Sequence, residues 1–123
     1  MPLDRFAPLL YALMRVIFGL MFVTYGLRKL GVLDQPAVML FSLLGTAAII
    51  EVLAGSLIAI GWKTRAAAFI ASGEMAFAYF NSHFPRGGLP VENNGIPAVL
   101  FCFAFLYVAA RGAGLYGLDS GRR

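Results

Sequence analysis

Three charged residues, Arg15, Glu51 and Glu74, each stand near the middle of a different long apolar stretch. A charge at the centre of a bilayer is costly, so it marks a site or a fixed pair more often than an accident. In the first stretch Arg15, Gly19, Phe22, Gly26 and Lys29 alternate four and three residues apart, which places them on one helix face. Glu51, Gly55, Ile58, Trp62 and Arg65 repeat that spacing in the second. The glycines would let two backbones approach closely. Packing the two faces together predicts Arg15 against Glu51, with Glu51 as its counter-ion. Glu74 then adds a second carboxylate. Burial disfavours an uncompensated charge, so one glutamate is expected to carry a proton. A mid-membrane carboxyl that gains and loses a proton suits proton-coupled chemistry. The plainer alternatives are an ion pair that only fixes helix register and a neutral Glu74 hydrogen-bonded to Ser72, Tyr25 or a backbone carbonyl.

Other chemically capable side chains are few. His83 closes the third stretch beside Asn81, Pro85 and Arg86. It reads either as a polar contact at a cavity mouth or as an interfacial histidine with no role. Cys102 reads as a small packing residue. One histidine and one cysteine cannot build a bis-histidine haem site, a CxxCH attachment or an iron–sulfur cluster within this chain. Redox chemistry would therefore run through a diffusible carrier or a partner. No phosphate loop, dinucleotide fingerprint, zinc-ligand pattern or Ser-His-Asp arrangement is present, so no metal site is expected. Phe77, Phe80, Phe84, Phe101, Phe103 and Phe105 would line a quinone or lipid-tail site or, more commonly, face lipid.

The elements that must position these groups are membrane spans. Of the 123 residues, 60% are hydrophobic and 13% charged, about half the charge of a soluble domain. Apolar segments fall at about 6–27, 38–60, 66–84 and 96–110. The first three are each close to the length that crosses a hydrocarbon core of about 30 Å, and the fourth is short. Pro97 suits the first turn of the last helix, with Asn93 or Asn94 as cap. The stretch 85–95 reads as a surface loop. The start of the chain lacks a separate apolar core and cleavage pattern, so the first segment is expected to be retained. The net charge of +4 comes from residues flanking apolar spans, which argues topology rather than nucleic-acid binding. Arg5, Lys63, Arg65, Arg111, Arg122 and Arg123 fall on one side of a four-span chain, and Arg28, Lys29 and Arg86 on the other. The basic side is expected to be cytoplasmic, which puts both termini there. Trp62, Tyr79, Tyr107 and Tyr116 are placed as an aromatic belt. Lys29 and Arg65 would mark opposite ends of the bundle.

Several motifs, in order along nearly the whole chain, resemble the DoxX family of small four-helix bacterial membrane proteins. They are Arg15-x3-Gly19-x2-Phe22-x3-Gly26-x2-Lys29-Leu30, Glu51-x3-Gly55, and Gly61-x2-Thr64-Arg65-x-Ala67-Ala68. Asn94, the Ala104-Phe105-Leu106 run and Gly112-Ala-Gly114-Leu115-Tyr-Gly-Leu118-Asp119 continue the likeness. Gly117 stands where many members carry serine, and Glu74 lies outside the motifs. The resemblance implies one all-α domain over 1–123, a four-helix bundle in the bacterial inner membrane. The family takes its name from a subunit linked to a thiosulfate:quinone oxidoreductase, and other members are described as parts of membrane oxidoreductase systems.

The expected function is an accessory or quinone-facing subunit of such a system, with no redox group of its own. Arg15, Glu51 and Glu74 are its candidate catalytic cluster, and Arg15, Lys29 and His83 its candidate quinone contacts. Its expected partners are the lipid bilayer, a redox protein and a second copy of the chain. The alternatives are a non-catalytic scaffold, whose buried charges hold the bundle together, and a small transporter or lipid-binding protein.

Overall fold

The computed structural model describes residues 2–32, 36, 39 and 41–120, and all regular structure among them is helical. A 3-10 turn, Pro2–Phe6, leads into α1, Ala7–Lys29. Pro8 lies in the first turn of α1, where its missing N–H costs no hydrogen bond. Helix α2, Leu43–Ile60, opens on the Ser42 hydroxyl, which accepts from the Gly45 N–H at 3.0 Å. It ends at Gly61, whose φ of 75° is the left-handed conformation glycine adopts without strain. Helix α3, Thr64–Ala78, runs into a π turn, Tyr79–His83, and a 3-10 turn, Phe84–Arg86. The short α4, Pro90–Asn93, precedes α5, Ile96–Arg111, which carries Pro97 in its first turn as expected.

The boundaries shift in three places. The expected start of the second span includes Val38 and Leu40, which lie outside the described residues, and α2 itself begins at Leu43. Helix α3 begins at Thr64, two residues early, and changes pitch at Tyr79 instead of running straight to 84. The loop 85–95 contains α4. The segments Pro2–Lys29 and Leu43–Ile60 are long and apolar enough to cross a membrane, while α5 is apolar but shorter.

Helices α1 and α2 pack as an antiparallel pair through their glycines. A Cβ on Gly19 would lie 2.7 Å from the Gly55 carbonyl oxygen, and a Cβ on Gly55 would lie 2.7 Å from that of Gly19. Further along the pair, a Cβ on Gly26 would meet the Ala48 carbonyl at 2.7 Å. The stripe Arg15, Gly19, Phe22 and Gly26 is buried, as its spacing predicts. Helix α3 turns Ala67, Ala68, Ala71 and Ser72 to α5 and the core, and the Ser72 hydroxyl donates to the Cys102 carbonyl at 2.7 Å. Helices α1 and α5 meet through rings, with Phe22 and Phe105 centroids 4.9 Å apart and Phe18 and Phe101 5.6 Å apart. Phe101 and Phe105 are therefore core residues, whereas Phe77, Phe80, Phe84 and Phe103 face outward. Tyr79 is also buried, not part of an outer belt.

The outward surface is apolar. Leu13, Ile17, Leu53, Phe69, Leu100 and Phe103 are each more than half exposed. Continuous apolar surface on this scale needs an apolar partner or solvent.

Candidate functional site

Arg15 and Glu51 do not meet. In an antiparallel pair that crosses at Gly19 and Gly55, Arg15 lies one turn to one side of the crossing and Glu51 one turn to the other. The expected ion pair, and with it the single mid-membrane cluster of Arg15, Glu51 and Glu74, is replaced by two separate polar poles.

At the first pole Arg15 is 1% exposed and has carbonyls as its partners. Its guanidinium donates to Ile58 O, to Ala59 O at 2.9 Å and to Tyr116 O at 2.9 Å. The first two are among the orphan carbonyls that end α2, a place where a cation complements the helix dipole. Arg65 does the same for α5, donating to Ala109, Ala110 and Arg111 carbonyls. Asp119 supplies the cap that Lys63, itself in a left-handed conformation, does not. Its carboxylate accepts from Lys63 N–H at 3.0 Å and Thr64 N–H at 2.8 Å, starting α3. The backbone of Leu118 and Asp119 donates to Ile60 and Gly61. The segment 112–120 is thus a strap across the α2–α3 turn.

At the second pole the Lys29 ammonium donates to both oxygens of the fully buried Glu51, at 2.7 and 2.6 Å. Lys29 stands where Arg15 was expected, as the counter-ion. Glu74 comes from α3 to the same pole and lines the cavity beside Glu51 and Lys29, with its Oε1 buried and without a hydrogen-bond partner. Ser72 does not serve Glu74, because its hydroxyl is committed to α5.

Lys29, Glu51 and Glu74 open into a cavity of about 1010 Å³, at the upper end of the range for small-molecule sites. Its apolar wall includes Leu43, Leu44, Ile50, Ile70, Met75, Phe77 and Phe101. Its polar lining includes Tyr25, Asn81, His83 and Asn94, with Arg28 and Arg86 exposed at the rim. Several wall residues, Leu43, Leu44, Ile70 and Phe77, are more than half exposed, so the cavity is continuous with the outer apolar surface.

The loop above this pole is organised by Asn93, which is 1% exposed. Its amide donates to Gly87 O at 2.9 Å and Tyr79 Oη at 3.2 Å, its Oδ1 accepts from Gly95 N–H, and its carbonyl meets His83 Nδ1 at 3.0 Å. His83 also stacks near Tyr79. The π turn brings Tyr79 and His83 to Asn93, and π turns are frequent at functional sites. Of the expected contacts, Lys29 and His83 line the cavity with Glu51 and Glu74, and Arg15 does not. Lys29 and Arg65 do fall at opposite poles. Sequence reasoning missed Asp119 and the central place of Asn93. A poor cap residue at Lys63, directly before a helix, is the available signal that a cap comes from elsewhere.

Apolar antiparallel helices, apolar outer faces and buried charge define a helical protein of the membrane type. The comparisons agree. The DoxX family model matches residues 10–84, and the chain belongs to the DoxX family. An uncharacterized protein of Haemophilus influenzae is 35% identical over 128 residues, covering 96% of this chain and 94% of its own length. No solved structure matches.

Proposed function

We propose that the chain is a four-helix bundle of the bacterial inner membrane, with both termini cytoplasmic, and acts as a quinone-facing accessory subunit of a membrane-associated oxidoreductase system. The exposed apolar faces of α1, α2, α3 and α5 support a lipid surrounding. The basic residues at the Arg15 pole, Lys63, Arg65 and Arg111, support a cytoplasmic position for that end. Arg122 and Arg123, which strengthen the same argument, lie outside the described residues. The second pole and its cavity then belong to the opposite half of the membrane.

The observation that carries the reading is the cavity itself. An apolar wall continuous with the outer apolar surface ends at Lys29, Glu51 and Glu74, where an ammonium and two carboxyl groups meet. An isoprenoid quinone has the matching form, an apolar tail and a ring whose oxygens gain or lose protons as electrons move. Lys29 orients the ring oxygen and the carboxyl pair holds the proton. Electrons pass to or from a redox protein partner, since the chain offers one histidine and one cysteine.

Native mass spectrometry of the full chain in mild detergent, with lipid extraction of the same sample, tests this. A co-purifying quinone that is lost in Glu51→Gln and Lys29→Met but kept in Asp119→Asn is the expected result. An empty bundle from quinone-replete membranes overturns it, and an empty bundle that carries a protein partner favours the scaffold reading.

A further inference from the structure

We infer that the cavity is entered sideways from the bilayer, through a mouth between α2 and α3, and that the tail of the bound ligand leaves by the same mouth. The site then selects the ring and accepts a tail of any length. This rests on the quinone reading above and adds to it the route of entry and the part of the ligand that is recognised.

The other seams beside the cavity are closed by side chains and backbone. Between α1 and α2, a Cβ on Gly26 would lie 2.7 Å from the Ala48 carbonyl oxygen, and Lys29 bonds Glu51 across the same seam. Between α1 and α5, the rings of Phe18, Phe22 and Tyr25 stand with centroids 5.6, 5.7 and 5.7 Å from that of Phe101. Between α3 and α5, Ala71 and Ala98 share one buried cluster, and the Ser72 hydroxyl reaches the Cys102 carbonyl at 2.7 Å. Packing this close leaves no passage for a ligand.

The seam between α2 and α3 differs. Leu43, Leu44 and Thr46 of α2 line the cavity, as do Ile70 and Phe77 of α3, and all five are exposed. A residue that lines a cavity and is also exposed stands at its mouth. The mouth therefore runs between these two helices. At their other end the strap ties them together, through Asp119 on the Lys63 and Thr64 N–H groups and through the carbonyls of Ile60 and Gly61.

The mouth opens along the first half of α2, a helix long and apolar enough to cross a membrane. Its lips are mostly apolar, with Thr46 as the exception. A tail passing between them stays in apolar surroundings while the ring reaches Lys29 and Glu51, so no apolar surface is returned to water. Arg28 and Arg86, exposed at the rim, mark the polar end instead. A tail enclosed by the bundle would have to end within about 1010 Å³. A tail that leaves through the mouth has no such limit.

The test uses the full chain in lipid nanodiscs and two benzoquinones, one with a single isoprene unit and one with a long tail that carries a diazirine. On illumination the long-tailed probe is expected to label the lips, at Leu44, Thr46, Ile70 or Phe77, and excess short-tailed quinone should abolish that labelling. Competed labelling confined to the outer faces of α1 or α5, or to the loop 84–95, overturns the inference and leaves the quinone site standing. Binding of the short-tailed quinone by calorimetry, with no competed labelling by the long one, overturns it in the same way. If the short-tailed quinone does not bind, the underlying reading falls and the inference with it. Thr46→Trp combined with Ile70→Trp fills the mouth from both lips, at exposed positions where substitution disturbs the fold least. The long-tailed quinone should then weaken about 10-fold relative to the short-tailed one, and equal effects on the two overturn the inference. Labelling of the unaltered chain decides even if the doubly substituted chain does not fold.

Discussion

The two ends of the α1–α2 pair handle buried charge in opposite ways. At one end Arg15 is enclosed and spends its guanidinium on the carbonyls of Ile58, Ala59 and Tyr116. Arg65 and Asp119 likewise bind helix termini. At the other end Lys29, Glu51 and Glu74 answer one another, and a volume of about 1010 Å³ adjoins them. Charge that satisfies backbone makes a joint, whereas charge that answers charge beside a cavity makes a candidate site. Buried charge alone does not distinguish the two, because Arg15 is as deeply buried as Glu51.

The sharpest way to break this division is Arg15→Ala. It strips three carbonyls of their donor and should cost about 3 kcal/mol or more, read as a lower melting temperature in detergent and reduced abundance, with Arg15→Lys recovering part. Stability near the original value would show that the first pole is not a joint. Next comes the crossing point. Gly55→Val places side-chain atoms where the Gly19 carbonyl sits and should cost roughly 2 kcal/mol by forcing the helices apart, measurable by the same melt. Asp119→Ala removes a helix cap and should cost about 1 kcal/mol, with Asp119→Asn losing less. The smallest stability effect belongs to the second pole. Glu74→Gln keeps the shape of a side chain whose buried Oε1 has no hydrogen bond to lose, so the melt should move by the equivalent of ~0.5 kcal/mol or less, while ligand binding suffers. A Glu74→Gln chain that unfolds would make the second pole structural as well and erase the contrast.

Much of the framework was legible in the residues. The stripe from Arg15 to Gly26 is buried, Glu51, Gly55 and Ile58 face inward on α2, and Pro97 opens α5. Period and glycine spacing carry that information because close backbone approach leaves few alternatives. The pairing of charges was not legible from matched motifs. Arg15-x3-Gly19 and Glu51-x3-Gly55 look alike, but likeness in sequence reads both in the same direction, while a short connection makes the helices run oppositely. Aligning the motifs head to tail places Arg15 near Ile58 and Ala59, as found, and puts Glu51 on the Lys29 side of the crossing. The place of Glu74 beside Glu51 in the cavity wall depends on the rotation of α3, which its alanine-rich face settles only once α5 is in place. Asp119 and Asn93 were hidden for a simpler reason. Each acts mainly on backbone N–H or C=O groups, which carry no side-chain signature.

The strap has a consequence for how the molecule is made. Tyr116, which completes the shell around Arg15, follows it by 101 residues. At translation rates of about 5–20 residues per second, that is an interval of roughly 5–20 s. During it the last acceptor of Arg15 is not yet synthesised. The carbonyls of Ile58 and Ala59 arrive 43 and 44 residues after Arg15, in less than half that time. The order of synthesis therefore offers Arg15 the α2 carbonyls first and the strap only after α5 has been made.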